Sequence, residues 1–415
     1  MNKELRAYWI WLQAGLGIQG RTAVVAAFNS PKEMFDAGPT EWRLSGAVTN
    51  RQIQRLETYT LEEANIIVRQ CDQNGWQIVT PDCADYPPLL LKLNNFPTVL
   101  YTWGELGCLK DKISIAVVGT RAASHYSVDV SGRLSASLSR SGAVVVSGGA
   151  LGVDSAAHTG ALFAGGKTVA VLGCGLAAKY LMGNLALRTQ IAQNGAVISE
   201  YPPDTPAIGQ NFPIRNRLIS GLSYGTVVIE AGERSGSLIT AGYALEQGRD
   251  IFAVPGDIIN SSYTGTNKLI RDGAKPVFSA ADVLEEYAFR YPEALNFDAL
   301  ETSLSDIPPK PGGFGNAKPI PLNKAAAQPL MPPPKADMAD FLRRKAPFVK
   351  VRRPLPESLD ESTREVYAKI VNEPIHIDDI VRAVKLEPAN VITALTELEV
   401  YGFIELTSGK RYVLI

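Results

Sequence analysis

Three polar residues stand together in an otherwise apolar stretch of the chain. The segment FPIRNRLISGLS, residues 212–223, places Arg215, Asn216 and Arg217 between a Phe-Pro pair and an apolar run. Guanidinium groups bind phosphate and carboxylate oxygens through paired N–H donors, and an asparagine amide adds another donor. The segment therefore predicts an anion site. Phe212 offers either a ring on which a nucleic-acid base stacks or a plain core contact.

The orientation of these side chains depends on the local backbone. If residues 214–222 are helical, Arg215 and Arg217 point away from each other. Asn216 and Arg217 would then face outward toward a ligand groove, while Arg215 would lie nearer the apolar edge and need a structural partner. If the segment starts in an extended conformation, both arginines share a side. The sequence leaves both conformations open.

The loop after one apolar run offers further phosphate ligands. The run ISIAVVG ends at Gly119, which permits a tight turn, and Thr120 and Ser124 follow with hydroxyl groups. A helix that begins near Ser127 would turn its backbone amides and its dipole toward the same place. Arg121 is either a paired clamp for phosphate or a solvent-exposed residue. Its place at the ligand edge of a sheet favours phosphate.

A second loop is built from small residues. The run AVVVSGG ends in Ser147, Gly148 and Gly149, which leave room for another backbone to approach closely. The GCGLAA that follows the next run fits a dinucleotide-binding pattern, but it does not follow the first strand of a β-α-β unit. We therefore predict no cofactor and no catalytic residue. The anion is expected at the first two loops and the arginine segment.

Six near-continuous apolar runs predict the strands that position these loops. They lie within residues 113–119, 143–149, 167–173, 196–200, 225–231 and 250–256. Strands that are apolar on both faces belong to a parallel sheet covered by helices on both sides, and the intervening segments are long enough for crossover helices. The prediction is an α/β fold with a Rossmann-like, doubly wound, mostly parallel sheet. Its ligand site is expected at the carboxyl ends of the strands.

Composition divides the 415 residues into four predicted domains. Residues 1–75 read as short helices of a small SAM-like domain, in which GLGIQG also resembles a helix-hairpin-helix turn. Residues 76–290 hold the predicted sheet. Residues 291–356 are rich in Pro, Gly and Ala and predict a flexible linker, whose PGGFG resembles a phosphate loop but follows no strand. Residues 357–415 have the helix and hairpin order of a winged helix.

The charge of the winged helix argues against duplex reading. Residues 357–415 hold six Lys and Arg against eleven Asp and Glu, a net charge of −5. Helices that read the major groove present Arg, Lys, Asn or Gln, and the third helix here carries no basic side chain. This domain is expected to bind protein or to regulate rather than to read duplex DNA, which weakens the hypothesis of transcriptional control.

Bulk composition limits the remaining possibilities. Lys and Arg total 41 against 42 Asp and Glu, so any attraction for nucleic acid must be local. The four cysteines show no C-x-x-C and no histidine at metal spacing, so neither a metal site nor a disulfide framework is predicted. No membrane or export segment is evident, and a cytoplasmic location is expected.

The ordered motifs GTRAAS, SGGALGVDSAAHTGAL, ISEYPP, FPIRNRLISGLS, VVIEAGERSGSLITAGYALEQGRDIFAVPGDI and GTNKLIRDGA resemble the DNA-processing protein A (DprA, or Smf) family. The resemblance covers roughly residues 76–288. It implies a non-enzymatic, dimeric, single-stranded DNA-binding protein that shields incoming DNA during natural transformation and loads a RecA-type recombinase on it.

The same resemblance implies particular site residues. Those expected to bind phosphate are Arg121, Ser147, Gly148, Gly149, Arg215 and Arg217. The family's dimer contact matches NKLIRDGA, so Leu269 and Ile270 are dimer candidates. One departure is visible: after GCGL the family commonly has Tyr-Pro and then Asn, whereas this chain reads AAKYLMGN.

The alternative hypothesis is a nucleotide-binding or nucleotide-hydrolysing enzyme of the related phosphoribohydrolase-like fold. Glu230 and Glu233 follow the fifth predicted strand, where such an enzyme could hold a carboxylate. A fold shared by both classes does not decide between them.

Overall fold

The architecture is described from a computed structural model of the protein. The structure describes residues 5–17, 21–180, 182–291, 293–301, 303–308, 310, 312–315, 359–370, 375–384, 386–400, 403–407 and 411–414. The chain divides into two compact units, Met1–Pro333 and Pro334–Ile415, and each is described by itself.

The first unit begins with five helices, which confirms the helical character predicted for this block. They are α1 (Arg6–Leu16), α2 (Arg21–Ala27), α3 (Pro31–Leu44), α4 (Asn50–Thr58) and α5 (Leu61–Asn74). The fully buried Trp11 anchors their core, and its indole N–H donates to the Leu56 carbonyl at 3.0 Å. Capping boxes at Thr49 and Thr60 fix the starts of α4 and α5, since each threonine side chain accepts a backbone N–H. Residues 18–20 of the hairpin-like GLGIQG lie outside the described residues.

A nine-stranded sheet follows, and its mostly parallel character agrees with the prediction. The strands are β1 (Gln77–Val79), β2 (Leu100–Gly104), β3 (Ser114–Val118), β4 (Val144–Ser147), β5 (Thr168–Leu172), β6 (Gly195–Ser199), β7 (Gly225–Val228), β8 (Asp250–Ala253) and β9 (Lys275–Pro276). Their spatial order is β1-β2-β6-β5-β4-β3-β7-β8-β9. The strands β3 to β9 pair in parallel, whereas β1 and β2 are antiparallel to their neighbours. The carboxyl ends of the parallel strands thus share one edge.

Helices cover both faces of this sheet. They are α6 (Pro88–Leu91), α7 (His125–Arg140), α8 (Val153–Phe163), α9 (Leu185–Asn194), α10 (Asn211–Gly221), α11 (Gly236–Glu246), α12 (Thr264–Arg271) and α13 (Ala281–Ala288). Ile115 and Val117 of β3 pack into a core shared with α7, α8 and α13, and Ala116 and Val118, on the other face of the strand, are buried as well. A strand buried on both faces needs apolar residues at every position, which is the pattern that its sequence shows.

The beginning of the predicted linker packs against the sheet domain. We call residues 293–315 the strap; three of its residues, at 302, 309 and 311, lie outside the described residues. Arg133 of α7 donates to the carbonyls of Leu304 (3.2 Å) and Ile307 (2.5 Å). Phe314 is 2% exposed and packs edge-on against Phe163 of α8. The rest of the predicted linker, residues 316–358, lies outside the described residues.

The second unit has the predicted winged-helix elements. They are α14 (Glu361–Lys369), α15 (Ile377–Ala383), α16 (Pro388–Val400), β10 (Ile375–His376), β11 (Ile404–Thr407) and β12 (Arg411–Leu414). The strands form an antiparallel sheet in the order β10-β12-β11. In neither unit does the described chain contain a helix that is both long and apolar enough to cross a membrane.

Candidate nucleic-acid interface

The arginine segment is helical from Asn211, so Arg215 and Arg217 point away from each other. Arg215 is 3% exposed and donates to the carbonyls of Gly148 (2.8 Å) and Val171. Gly148 directly follows β4, and Val171 is the penultimate residue of β5. Arg215 thus has the structural partners that the helical conformation requires, and it carries a positive charge to the carboxyl edge of the sheet.

Arg215 is held beside a buried carboxyl group. Burial raises the pKa of Asp154, and the nearby guanidinium of Arg215 opposes that rise. Burial likewise lowers the pKa of Arg215, and Asp154 opposes the fall. A Cβ atom at Gly148 would lie 2.7 Å from Asp154 Oδ2 and 3.0 Å from Arg215 Nη2. The absence of a side chain at Gly148 is therefore what allows this pair to form.

The outward orientation predicted for Arg217 is wrong. Arg217 is 7% exposed and binds the two carboxylate oxygens of Glu200 at 2.7 and 2.5 Å. Arg21 of α2, in the N-terminal group of helices, binds the same carboxylate. Burial raises the pKa of Glu200, but the two guanidinium groups outweigh it and hold that pKa below its ordinary value. The guanidinium of Arg217 is therefore committed to an internal ion pair.

Two aromatic rings and two guanidinium groups form a cluster at the carboxyl ends of the strands. The Arg121 guanidinium lies 5.2 Å from the centre of the Phe212 ring, and the Arg215 guanidinium lies 5.8 Å from it. The ring of Tyr180 lies 5.0 Å from Phe212, tilted by 47°. Phe212 fits here because Gly173 has no Cβ, which would lie 2.8 Å from the ring. Gly173, the first glycine of GCGLAA, thus serves ring packing rather than dinucleotide binding.

Sequence reasoning missed Tyr180 and Arg188. The Arg188 guanidinium lies 5.8 Å from the Tyr180 ring, and its Nε and Nη2 are buried with no hydrogen-bond partner among the described residues. Burial lowers the pKa of Arg188. The only available signal was the aromatic residue in AAKYLMGN, in the loop that departs from the family pattern.

The β3 loop leaves one side chain free for a ligand. Arg121 is exposed, and within the described part of the chain its guanidinium contacts the Phe212 ring and forms no salt bridge. The Ser124 hydroxyl instead caps α7 by accepting the Ser127 N–H at 3.1 Å. The N–H groups of Thr120 and Ser124 donate to the backbone carbonyl and carboxylate of Glu230, both at 2.9 Å. These predicted phosphate donors hold the loop in shape.

The small-residue loop after β4 is an internal support. Ser147, Gly148 and Gly149 are buried, and the Ser147 hydroxyl donates to the Val117 carbonyl at 2.6 Å. Gly119, at the end of β3, is half-buried, and a Cβ there would lie 2.6 Å from a methyl of Val153. The Ser147 hydroxyl is therefore not presented to a ligand, which differs from the prediction.

Asn216 lies at the margin of the site. Its side chain is half-buried, its amide donates to the Gly236 carbonyl at 3.3 Å, and its oxygen accepts from Arg215 Nε at 3.3 Å. The structure therefore brings Arg121, Phe212, Arg215 and Asn216 together at one edge and leaves Arg217 outside.

Two sequence profiles of known proteins match the chain. Residues 77–288 match the sequence profile described as DNA recombination-mediator protein A, and residues 350–410 match the DprA winged helix domain. The chain belongs to the DNA recombination-mediator protein A family. The resemblance inferred from the ordered motifs is confirmed, as is the winged helix at the end of the chain.

Relatives in this family cover different shares of the chain. Protein Smf of Synechocystis is 34% identical over 431 residues, which is 99% of each chain. Protein Smf of Escherichia coli is 40% identical over 58% of this chain and 65% of its own length. The X-ray structure of DNA processing protein A from Streptococcus pneumoniae has a TM-score of 0.59 at 33% identity, over 68% of this chain and 97% of that chain. The fold is thus shared with a solved member of the family.

The two residues that the family resemblance implied for the dimer contact differ in their exposure to solvent. Leu269 is 2% exposed and buried within its own unit, whereas Ile270 is half-buried. Leu269 thus lacks the exposure needed for a direct contact with a second chain. Nearby, Ile258, Ile259 and Phe278 are largely exposed.

Proposed function

We propose that the protein binds single-stranded DNA at the carboxyl edge of its sheet and, as a homodimer in the cytoplasm, protects incoming DNA and loads a RecA-type recombinase during natural transformation. The observation that carries the DNA-binding part is the pairing of a free cation with an aromatic ring. Arg121 is exposed, and its guanidinium lies 5.2 Å from the centre of the Phe212 ring.

The phosphate contact is assigned to Arg121. A guanidinium without a carboxylate partner binds a phosphate by two parallel hydrogen bonds, and water is displaced at little cost. Behind it, Arg215 lies beside the buried Asp154 and gives its hydrogen bonds to backbone carbonyls, so the direct phosphate contact rests on Arg121. Binding is therefore expected to be insensitive to base sequence and sensitive to salt.

The base contact is assigned to Phe212, with Tyr180 beside it. A base that is paired within a duplex cannot lie on a protein ring, whereas an unpaired base stacks on one with about 1–3 kcal/mol. The half-buried Phe212 has its ring backed by Tyr180 at 5.0 Å, which holds it in position. A preference for single strands follows from this geometry.

The recombinase and transformation roles rest on family membership. The profile that matches half of this chain is described as a recombination mediator, and the Streptococcus pneumoniae relative is named a DNA processing protein. A mediator must hold single-stranded DNA and then yield it to the recombinase, so moderate, salt-sensitive affinity suits the role.

The homodimer is assigned to the apolar surface at β8 and β9. The parallel pairing of Ala253 with Pro276 sends both following loops out at one edge of the sheet. Ile258 and Ile259 are about nine-tenths exposed and Phe278 about two-thirds, which is unusual for large apolar side chains. Sedimentation should show a dimer for the wild type and a monomer for Ile259→Glu combined with Phe278→Glu. A dimer that persists in this double variant would place the contact elsewhere.

Fluorescence anisotropy with labelled oligonucleotides tests the DNA site. The wild type is expected to bind single strands more tightly than duplex, and Arg121→Ala to weaken single-strand binding about tenfold or more, the value of a charge-assisted hydrogen bond. Arg43→Ala, an exposed arginine of α3, is the matched control and should change nothing. Equal affinity for duplex and single strands, or an Arg121→Ala protein that binds as the wild type does, would contradict the assignment.

The enzyme alternative places its carboxylate at Glu230 or Glu233. Glu230 is 1% exposed, and its carboxylate accepts the Ser124 N–H, while Glu233 is exposed to solvent. This arrangement favours a structural role for Glu230. Incubation with common nucleoside monophosphates tests the alternative directly, because release of free base would establish hydrolysis.

A further inference from the structure

A cleft of about 1060 Å³ adjoins the proposed DNA site at Arg121. It lies between the β3 loop, α8, the start of α9 and the strap. Among its lining residues are Arg121, His125, Thr159, Phe163, Gln190 and Lys310. Arg121 is thus common to both places, because its guanidinium also lies over Phe212.

The lining of this cleft suits a nucleotide. Three basic side chains, Arg121, His125 and Lys310, face it, and none of the described residues that line it carries a carboxylate. Thr159 and Gln190 add neutral hydrogen-bonding groups, and Phe163 belongs to an apolar wall. A cation-lined cleft with an apolar wall and no opposing negative charge is complementary to phosphates joined to bases.

The strap builds one side of the cleft and is anchored for that position. Phe314 occupies the space that a side chain at Gly132 would fill, since a Cβ there would lie 2.1 Å from the ring. Glu301 of the strap is bound by Ser137 and Arg140 of α7. Two anchors at separate points of α7 and α8 thus hold the intervening Lys310 at the cleft. Among the described residues, Lys310 has one weak contact, from Nζ to the Gly313 carbonyl at 3.4 Å, so its ammonium group is available to a ligand.

We propose that this cleft is a second segment of the DNA site, which takes the nucleotides next to the one on Phe212, with Lys310 as a phosphate ligand. The inference rests on the proposed function and deepens it. Arg121 joins the two segments, and the strap extends the bound length of the strand. The ligand chemistry is a nucleoside phosphate, and the strand rather than a free nucleotide is its source because the cleft is continuous with the site at Arg121.

Oligothymidylates of increasing length test the inference by anisotropy. Lys310→Glu should weaken binding of long oligonucleotides at least tenfold and leave the shortest that bind unaffected, because those occupy only the Phe212 segment. The salt dependence of long-oligonucleotide binding for Lys310→Ala should be less steep by about 0.7 in log–log slope, the value of one phosphate contact on a single strand. Lys112→Glu, an exposed lysine at the opposite edge of the sheet, is the charge-matched control.

The outcomes separate the inference from the proposed function. If the wild type binds no oligonucleotide, the proposed function fails and the inference with it. If the wild type binds and Arg121→Ala weakens binding, but Lys310→Glu equals Lys112→Glu at every length, only the inference fails. Calorimetry with nucleoside monophosphates distinguishes the two sources of ligand. Micromolar binding of a monophosphate that Lys310→Ala abolishes would overturn the strand assignment in favour of a free nucleotide.

Discussion

Replacing Arg217 should damage the fold and spare DNA binding, although Arg217 and Arg215 stand two residues apart in one motif. The Arg217, Glu200 and Arg21 side chains are 9%, 4% and 2% exposed, so the cluster is two cations around one carboxylate in a nearly dry environment. Arg217→Met removes one cation and leaves the Arg21–Glu200 pair, which is neutral as a whole. Glu200→Gln leaves two buried guanidinium groups without a carboxylate.

These remaining charges set the expected magnitudes. Breaking a buried ion pair costs about 3–5 kcal/mol of unfolding free energy. Arg217→Met belongs at the low end, about 3 kcal/mol, because Arg217 Nε and Nη1 are buried without an acceptor among the described residues and their removal relieves that cost. Glu200→Gln belongs at the high end, about 5 kcal/mol, since two cations lose their partner.

Thermal unfolding followed by circular dichroism, together with anisotropy well below the melting temperature, gives the readout. At roughly 2 °C per kcal/mol for a large unit, Arg217→Met should melt about 6 °C lower and Glu200→Gln lower still. Lys275→Met, which removes a half-exposed pair with Glu286, is the control and should cost less than about 1 kcal/mol. The reasoning is refuted if Arg217→Met melts like the wild type yet loses as much DNA affinity as Arg121→Ala.

Three further predictions concern packing and pH. Burial lowers the pKa of His158 to about 3, so below its ordinary pKa of 6.5 the unfolded chain binds a proton that the folded protein does not, and the free energy of unfolding falls with pH. The wild type should lose about 2 kcal/mol of unfolding free energy between pH 7 and pH 5. His158→Gln should flatten this pH dependence in denaturant titrations. Gly148→Ala should displace Arg215 and lower both the melting temperature, by an overpacking cost of about 1–3 kcal/mol, and the single-strand affinity; unchanged values would show that the loop adjusts. Gly132→Ala is favourable for helix propensity in α7, but the added Cβ would expel Phe314, so the net effect should be destabilising and limited proteolysis should cut the strap faster than in the wild type.

The sheet was predictable because its signal is local. Each of the strands β3 to β8 lies in a near-continuous apolar run, and strands buried on both faces are typical of a covered parallel sheet. The place of the ligand edge followed from that topology. Arg121 was recognisable as a candidate from its position after β3 alone.

Contacts between distant segments were not predictable in this way. The direction of Arg217 depends on Glu200, directly after β6, and on Arg21 in α2, neither of which is near it in the sequence. The strap reads as a Pro- and Gly-rich linker, because the slot that holds Phe314 belongs to Gly132 in another part of the chain. The place of Tyr180 in the site could not be predicted, because its contact with the Phe212 ring arises only in the tertiary structure.

By itself the sequence determined the element types, the strand edge that carries the site and the family. Tertiary structure alone decided which charged groups are neutralised internally and which remain free for a ligand. The physical reason is that hydrophobic periodicity acts along the chain, whereas the fate of a charge depends on its burial and on the partner that the fold brings to it. Arg121 and Arg217 have the same side chain, and only their surroundings assign one to a ligand and the other to the fold.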